Sequence, residues 1–187
     1  MPAVDAAMAA LRQPGKAIAD AMASTPNLPG LYSVHASPKA LTQLGLGGHD
    51  PDAPVYVGLA SKSLRKRDTR QHFASSATGG STVRRSCAAL LSNDLHLTPV
   101  PRGAKSPRSK WKLATKAQEA ALTDWMRRNL TLVIWPSPAD IDLNATETAL
   151  IRAWHPPLNL SKNPTPWIDL VVRRTQMAAL AEKSITR

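Results

Sequence analysis

The sequence predicts an α+β fold in which a small three-stranded antiparallel sheet is flanked by helices. Three short apolar segments at residues 31–35, 55–59 and 130–135 have strand character, and helically spaced apolar residues fill most of the rest. Such mixed helix and strand segments favour an α+β arrangement. Apolar residues make up 43% of the 187 residues, which suffices for a packed core. Aromatic residues make up only 4%, so we expect a core of Ala, Leu, Val and Ile.

The first half of the chain is expected to begin with a helix over residues 4–22, where Ala, Leu, Ile and Met recur at helical spacing. A breaker-rich linker at 24–29 then leads into the first strand. The second strand is expected to pair antiparallel with the first, across a loop at 38–54 that has room for a short helix at its start. A basic helix over 63–73 follows, with Ser63 as its N-cap.

The second half of the chain continues, after two glycines, with a helix that Ser81 or Thr82 caps and that extends through Leu91. Residues 97–112 are basic and contain three prolines, so we expect a loop or a short extended segment there. Residues 130–135 are the clearest strand, which Pro136 ends. Further helices are expected at 116–129, 144–154 and 167–183.

Several classes of protein are excluded by composition. No apolar run reaches the roughly 18 residues that span a bilayer. Charged residues interrupt the Ala-rich first 22 residues, which therefore lack the apolar stretch of a signal peptide. Cys87 is the single cysteine, so an intrachain disulfide and a cysteine zinc cluster are excluded, and we expect Cys87 in the core. We expect a cytoplasmic protein that is neither secreted nor bound to a membrane.

The net charge of +11 is concentrated in one part of the chain. Residues 61–118 contain thirteen Lys and Arg but only two acids, Asp68 and Asp94, and the rest of the chain is neutral overall. A charged segment is often no more than a solvated surface. Here the sign is nearly uniform over almost sixty residues, which favours a polyanionic partner such as nucleic acid.

Both tyrosines of the chain lie beside a glycine in a predicted strand. They occur as Gly30-Leu31-Tyr32 and Tyr56-Val57-Gly58, immediately before the basic helix. A strand tyrosine usually serves core packing with its hydroxyl at the edge. Two tyrosines in paired, glycine-containing strands indicate a functional site instead.

A second cluster of polar residues lies later in the chain. Glu147 falls in the first turns of a predicted helix and is followed by Pro157 and Asn159. Taken alone, a glutamate in that position is typical of a helix cap or a partner of the helix dipole.

Together these residues resemble the GIY-YIG nucleases. The two tyrosine tripeptides, the Arg-bearing helix after the second of them, and Glu147 with Pro157 and Asn159 occur in the family's order. Each tripeptide alone is a weak signal, but the ordered set is specific. The resemblance covers about residues 29–163. It implies a nuclease-like domain with a basic insertion around 97–116, an N-terminal helix and linker at 1–28, and a C-terminal helix at 164–187.

What the resemblance implies is a DNA endonuclease that uses one divalent metal, Mg²⁺ or Mn²⁺. Glu147 would be its protein ligand, since hard cations prefer carboxylate oxygen. Tyr32 would orient or deprotonate the attacking water, and Tyr56 would hydrogen-bond the phosphate or the water. Free tyrosine titrates near about pH 10, so a base role needs help from cations. Asn159 would brace the site as a hydrogen-bonding residue.

The family's transition-state arginine has more than one candidate here. Arg65, Arg67 and Arg70 all lie on the basic helix, and counting from Leu64 favours Arg67. Family members often carry His or Tyr four residues after that arginine, but residue 71 is glutamine and His72 is one further on. Arg67, or Arg70 together with His72, therefore remain the alternatives, and His72 also suits a plain surface position.

Nucleic-acid contacts are expected from the other basic residues and from one helix N-terminus, where N–H groups favour phosphate. Trp111 is available either for stacking on a base or for packing. The predicted nucleic-acid-binding residues are Lys62, Arg65, Lys66, Thr82, Arg84, Arg85, Lys105, Arg108, Lys110 and Lys112.

The expected substrate is double-stranded DNA, with the protein associated with the nucleoid during action. A double-strand cut from one active site per chain would need a homodimer on DNA or two nicks. The alternative is a non-catalytic DNA- or RNA-binding module on the same scaffold. A basic structural protein is the weaker third alternative.

Overall fold

The fold is α+β, as the sequence predicts. The computed structural model describes residues 2–66, 73, 78–103, 110–138 and 140–184, and the structural statements below refer to these residues. No helix in these ranges is both long and apolar enough to cross a membrane. The helices are α1 Pro2–Leu11, α2 Ile18–Ser24, α3 Pro38–Gln43, α4 Leu64–Lys66, α5 Thr82–Leu90, α6 Lys116–Asn129, α7 Leu143–Trp154 and α8 Ile168–Lys183. The strands are β1 Lys16–Ala17, β2 Gly30–Ala36, β3 Tyr56–Ala60, β4 Pro99–Pro101, β5 Trp111–Leu113 and β6 Leu130–Pro136.

The main sheet has four antiparallel strands in the order β1-β6-β2-β3, so the expectation of three strands is wrong by one. The extra strand, β1, interrupts what the sequence predicts as one helix over 4–22. Pro14 lacks an N–H group for a helix interior. Gly15 passes so close to β6 that a Cβ there would lie 2.7 Å from Thr131 Cβ. The chain therefore breaks into α1 and α2, with β1 along the sheet edge between them.

The proline-rich segment at 97–112, predicted as a loop or a short extended segment, is extended at both ends. Its two ends form a two-stranded ribbon, in which β4 pairs with β5. The prolines sit at edge positions where a missing N–H costs no ladder bond. Trp111 and Leu113 point inward from β5 and are buried. The segment thus contributes to the core.

Side-chain caps mark the first residues of several helices. Ser63 accepts from Lys66 N at 3.1 Å, and Ser81 accepts from Arg84 N at 3.2 Å, which confirms both serines as N-caps. Thr115 caps α6 in the same way, and Asp142 caps α7 through Asn144 N and Ala145 N. The α7 helix ends at His155 in the left-handed conformation, ahead of two prolines.

The sheet separates two apolar clusters, because successive side chains of a strand point to opposite faces. Leu31 and Val57 pack in one cluster with Leu11 of α1 and Leu150 of α7. Tyr32, Val34, Tyr56 and Ala60 belong to the other, larger cluster. That cluster also contains buried residues from α2, α3, α5, α6 and α8, among them Cys87 as expected.

The end of α1 is held to β2 by polar contacts. Ser33 Oγ donates to the Leu11 carbonyl oxygen at 2.8 Å, and His35 Nε2 lies 3.2 Å from the same oxygen. Helix ends leave such carbonyl groups without partners inside the helix. Burial lowers the pKa of His35, so the ring is held in its neutral form.

Candidate active site

The two tyrosine motifs lie side by side on β2 and β3. Their register pairs Tyr32 with Gly58 and Val34 with Tyr56, so both tyrosine side chains emerge on the same face. The ring centroids are 6.2 Å apart at an interplanar angle of 33°. Both rings are buried, Tyr32 completely.

The glycines of both motifs are required by close approach of other groups. A Cβ on Gly58 would collide with the hydroxyl oxygen and the ring of Tyr32. A Cβ on Gly30 would collide with the carbonyl oxygen of Trp135 on β6. Gly58 thus provides the space over which the Tyr32 phenol lies.

We predict that Gly58→Ala destabilises the fold by about 1–3 kcal/mol, since it forces the Tyr32 ring or β3 to shift. Urea denaturation measures this loss. Gly47→Ala is the matched control, because a Cβ there meets nothing within 4 Å, and its effect should stay within about 0.5 kcal/mol. Equal stability of the two variants would contradict the prediction.

Glu147 opens onto a groove at the end of β3. The groove has a volume of about 450 Å³ and is lined by Leu59, Ala60, Ser61, Lys62, Ser63, Lys66 and Glu147. Neither tyrosine is among its described lining residues. Glu147 lies on the same side of α7 as Leu150, whose cluster faces away from the tyrosines. Leu59 and Ala60, whose side chains point to opposite faces of the sheet, both line the groove, so the carboxylate lies at the end of β3.

The Glu147 carboxylate forms an ion pair with the side chain of Lys162. Lys162 Nζ lies 2.5 Å from Glu147 Oε2 and also donates to Asn144 Oδ1. The side chains of Lys162 and Glu147 are 29% and 12% exposed. Lys162 comes from the loop after α7 and has a positive φ of 66°. The sequence does not predict a role for Lys162, because no motif or regular spacing relates it to Glu147.

Asn159 braces the free edge of β3. Its Oδ1 accepts from Val57 N and its Nδ2 donates to Val57 O, both at 2.8 Å. The backbone of the neighbouring residue extends the contact, since Leu158 N donates to Val55 O at 2.9 Å. The side chain thereby takes the place of a second neighbouring strand at the free edge of β3, which carries Tyr56. Its amide bonds fix β3 and the loop that carries Lys162 to each other.

The predicted nucleic-acid-binding residues have different environments. Lys62, Lys66, Lys110 and Lys112 are exposed, and the first two line the groove of Glu147. Arg65 is exposed, and its Nε donates to the Thr25 carbonyl at 2.9 Å. Thr82 is half-buried in the first turn of α5. Arg67, Arg70, His72, Lys105 and Arg108 lie outside the described residues.

The prediction that Arg84 contacts nucleic acid is wrong, because its side chain is 0% exposed. Its guanidinium forms an ion pair with Glu119 Oε2 at 2.8 Å and donates to the hydroxyls of Thr78 and Thr123. Burial lowers the pKa of Arg84, and the charge of Glu119 opposes that shift. Arg84 therefore joins α5 to α6 inside the core.

Arg85 is also enclosed, at 6% exposed, rather than on an open surface. Its Nη1 donates to the carbonyls of Gly79 at 2.8 Å and Thr78 at 3.4 Å. Both residues belong to a short 3-10 turn, Thr78–Gly80, ahead of α5.

Two other residues are placed in the core. Trp111 is fully buried, so of the two alternatives it packs in the core and does not stack on a base. Burial raises the pKa of the Cys87 thiol to about 12, which keeps it protonated and inert as a nucleophile. In the described ranges no group of three or more His, Cys, Asp and Glu could hold a metal ion. Glu147 is then the carboxylate that the groove offers.

Comparison with known families identifies one match. The model of the GIY-YIG catalytic domain matches residues 48–175, about two thirds of the chain. The matched range contains Tyr56, Glu147 and Asn159 but begins after Tyr32, whose place rests on the pairing of β2 with β3. Neither the curated proteins nor the solved structures gave a match.

Proposed function

Because the chain belongs to the GIY-YIG catalytic domain family, we propose that it is a metal-dependent endonuclease that hydrolyses phosphodiester bonds of DNA. The family implies a nuclease-type domain, a nucleic-acid substrate and, in general, a divalent metal. DNA as substrate, its double-stranded form and Mg²⁺ or Mn²⁺ as the metal are part of the proposal. So are a homodimer on DNA and a cytoplasmic location.

One observation carries the proposal: among the described residues, Glu147 is the carboxylate that opens onto a groove whose wall contains the cations Lys62 and Lys66. A phosphodiester needs neutralisation of its charge, which these ammonium groups provide by proximity. The groove also contains the hydroxyls of Ser61 and Ser63, which suit hydrogen bonds to phosphate oxygens.

The donor set of the groove fits a hard divalent cation. Glu147 Oε2 already attracts the ammonium group of Lys162, so the position favours positive charge. Mg²⁺ commonly binds through one or two carboxylates and keeps several waters, which agrees with one glutamate in an open groove. When bound, such a metal supplies Lewis-acid stabilisation of the negative charge that develops on the phosphate.

The chain's own residues take the remaining roles in the proposed mechanism. The Tyr32 hydroxyl orients or deprotonates the attacking water, and the Tyr56 hydroxyl hydrogen-bonds the phosphate or the water. Asn159 acts through Val57, whose position it fixes, and so positions Tyr56. Arg67, or Arg70 with His72, stabilises the pentavalent phosphate through the guanidinium fork.

The test of the proposed function is cleavage by the purified protein. Duplex, branched, damaged and single-stranded DNA, and RNA, are incubated with Mg²⁺ or Mn²⁺ and with chelator. Metal-dependent nicking of DNA supports the proposal. Salt-dependent binding without cleavage of any substrate would overturn it in favour of a nucleic-acid-binding module.

We predict that Lys162→Met tightens the binding of Mn²⁺, because the ammonium group competes with the metal for Glu147. The pair is partly exposed, so we expect an effect of about 1 kcal/mol, or about fivefold in Kd. Calorimetry or the electron paramagnetic resonance of Mn²⁺ measures the affinity without any substrate. Lys183→Met, at an exposed position at the end of α8, is the control. Unchanged or weaker binding in Lys162→Met would contradict the competition.

A further inference from the structure

Arg85 has hydrogen-bonding capacity that the protein leaves unused. Its Nη1 bonds the 3-10 turn, but its Nε is buried and has no partner among the described residues. Buried donors without partners are rare in folded proteins, and each calls for an explanation. A guanidinium offers donors in a fixed planar arrangement that matches phosphate oxygens.

Two further arginines converge on the same place. Arg174 of α8 is half-buried, and its Nη1 lies 3.4 Å from the hydroxyl of Ser86, the residue after Arg85. Arg102 comes from the end of β4, and its Cγ lies 3.2 Å from where a Cβ on Gly79 would be. Gly79 is also the residue whose carbonyl accepts from Arg85. We call Arg85, Arg102 and Arg174 the arginine cluster.

The arginine cluster is short of negative charge. Burial, followed by the charge of Arg85, lowers the pKa of Arg174 to about 10. Burial, followed by the charge of Arg102, lowers the pKa of Arg85. Tyr56 acts in the opposite direction on both groups, and no carboxylate contributes among the described residues. Neighbouring Arg84, in contrast, has Glu119 as its partner.

The arginine cluster adjoins the strand of the second tyrosine. The hydroxyl of Ser86 accepts from Arg174 Nη1 and donates to the Leu158 carbonyl oxygen at 3.4 Å. Leu158 N in turn donates to Val55 O, one residue before Tyr56. A continuous series of contacts therefore links the arginines to the edge of β3. The unmatched charge therefore lies beside Tyr56, one of the proposed catalytic residues.

We propose that Arg85, Arg102 and Arg174 bind a backbone phosphate of the nucleic acid, next to the phosphate that is cleaved. The exposed side chain of Arg102 would donate directly to such a phosphate, whose negative charge would offset the mutual repulsion of the three arginines. The identity of the ligand as nucleic acid rests on the proposed function, whereas the affinity for a phosphate group does not. Binding at the arginine cluster would fix the register of the nucleic-acid strand on the protein and would not take part in bond cleavage.

The test compares Arg174→Gln with Arg173→Gln. Arg173 is the exposed neighbour on α8, so both variants lose one charge from the same helix turn. Arg174→Gln leaves the backbone bonds of Arg85 intact, and Arg102→Gln provides a second variant at an exposed position. Each protein is titrated with inorganic phosphate, followed by thermal unfolding, and with a labelled DNA duplex in Ca²⁺ at several salt concentrations.

We expect phosphate to raise the Tm of the wild type and of Arg173→Gln, and to have little effect on Arg174→Gln and Arg102→Gln. We expect the duplex to bind Arg174→Gln about tenfold more weakly than Arg173→Gln. The slope of log affinity against log salt concentration should also be smaller in magnitude, by about one phosphate contact. Equal duplex affinity and slope in the two variants would overturn the proposal. If phosphate raises the Tm as expected but the variants bind the duplex equally well, the proposal is also overturned, and the arginines form a site for free anions. Neither measurement needs turnover, so an inactive wild type would count only against the proposed function.

Discussion

Replacing Glu147 by alanine is expected to abolish metal-dependent cleavage while nucleic-acid binding survives. Glu147 is the carboxylate that the described part of the groove offers, so its loss would remove the proposed ligand of the metal. The charge stabilisation that a metal provides is worth several kcal/mol. We expect a loss of at least about 10³-fold in rate, which corresponds to about 4 kcal/mol in the barrier. Binding should persist because Lys62 and Lys66 stay in place, and Lys162 is freed to contact phosphate.

Single-turnover cleavage of a DNA that the wild type cuts measures this loss, and gel shift in Ca²⁺ measures binding. Asp124→Asn is the control, since Asp124 is an exposed acid on α6, away from the groove. Tyr32→Phe tests the phenol independently, with an expected loss of about 10²–10⁴-fold. Cleavage by Glu147→Ala within tenfold of the wild type, under the same metal concentration, would refute its role as metal ligand.

The parts of the fold that the sequence predicts well are those with strong local signals. The helix α6 and the start of β6 agree with the expected boundaries, because Thr115 supplies a cap and Leu130 begins a run of apolar strand residues. The pairing of β2 with β3 was predictable for a similar reason. Each strand combines an apolar run with a glycine, and the space over Gly58 is filled by Tyr32.

The errors arise where contacts distant in sequence decide the structure. The strand β1 has two residues, too few for any period to appear in the sequence. Its existence depends on the close approach of Gly15 to Thr131, more than a hundred residues away. The ribbon of β4 and β5 is similar, since prolines normally argue against strands and only its edge position makes them acceptable.

The candidate site was predictable in its residue types and not in its charge pairing. The ordered tyrosine, glutamate and asparagine motifs name Tyr32, Tyr56, Glu147 and Asn159 from the sequence. Arg84 and Arg85 are adjacent and chemically identical, but one pairs with Glu119 and the other has a free Nε. Helix geometry separates their directions by about 100°. Which direction meets an acid depends on how α6 packs against α5.

Replacing Arg84 by methionine is expected to destabilise the fold by about 3–5 kcal/mol, because it leaves the Glu119 carboxylate buried without its cation. Thr78 Oγ1 still donates to Glu119 Oε2, but one hydroxyl does not replace a guanidinium. A loss of this size is a large part of the 5–15 kcal/mol that typically separates folded from unfolded domains. Arg128→Met, at an exposed position on the same partner helix, α6, should change the stability by less than about 0.5 kcal/mol.

The double variant Arg84→Met with Glu119→Leu separates the cost of an orphaned charge from the value of the pair. Both charges are then absent, and the apolar side chains fill the space between α5 and α6. Replacing a buried ion pair by apolar groups is often neutral or stabilising, so the double variant should recover most of the stability that the single variant loses. Urea unfolding of all four proteins measures the free energies of unfolding. If Arg84→Met is as stable as Arg128→Met, the ion pair does not hold α5 to α6. If instead the double variant is no more stable than the single one, the loss comes from the hydrogen bonds of Arg84 to Thr78 and Thr123 rather than from the unpaired carboxylate.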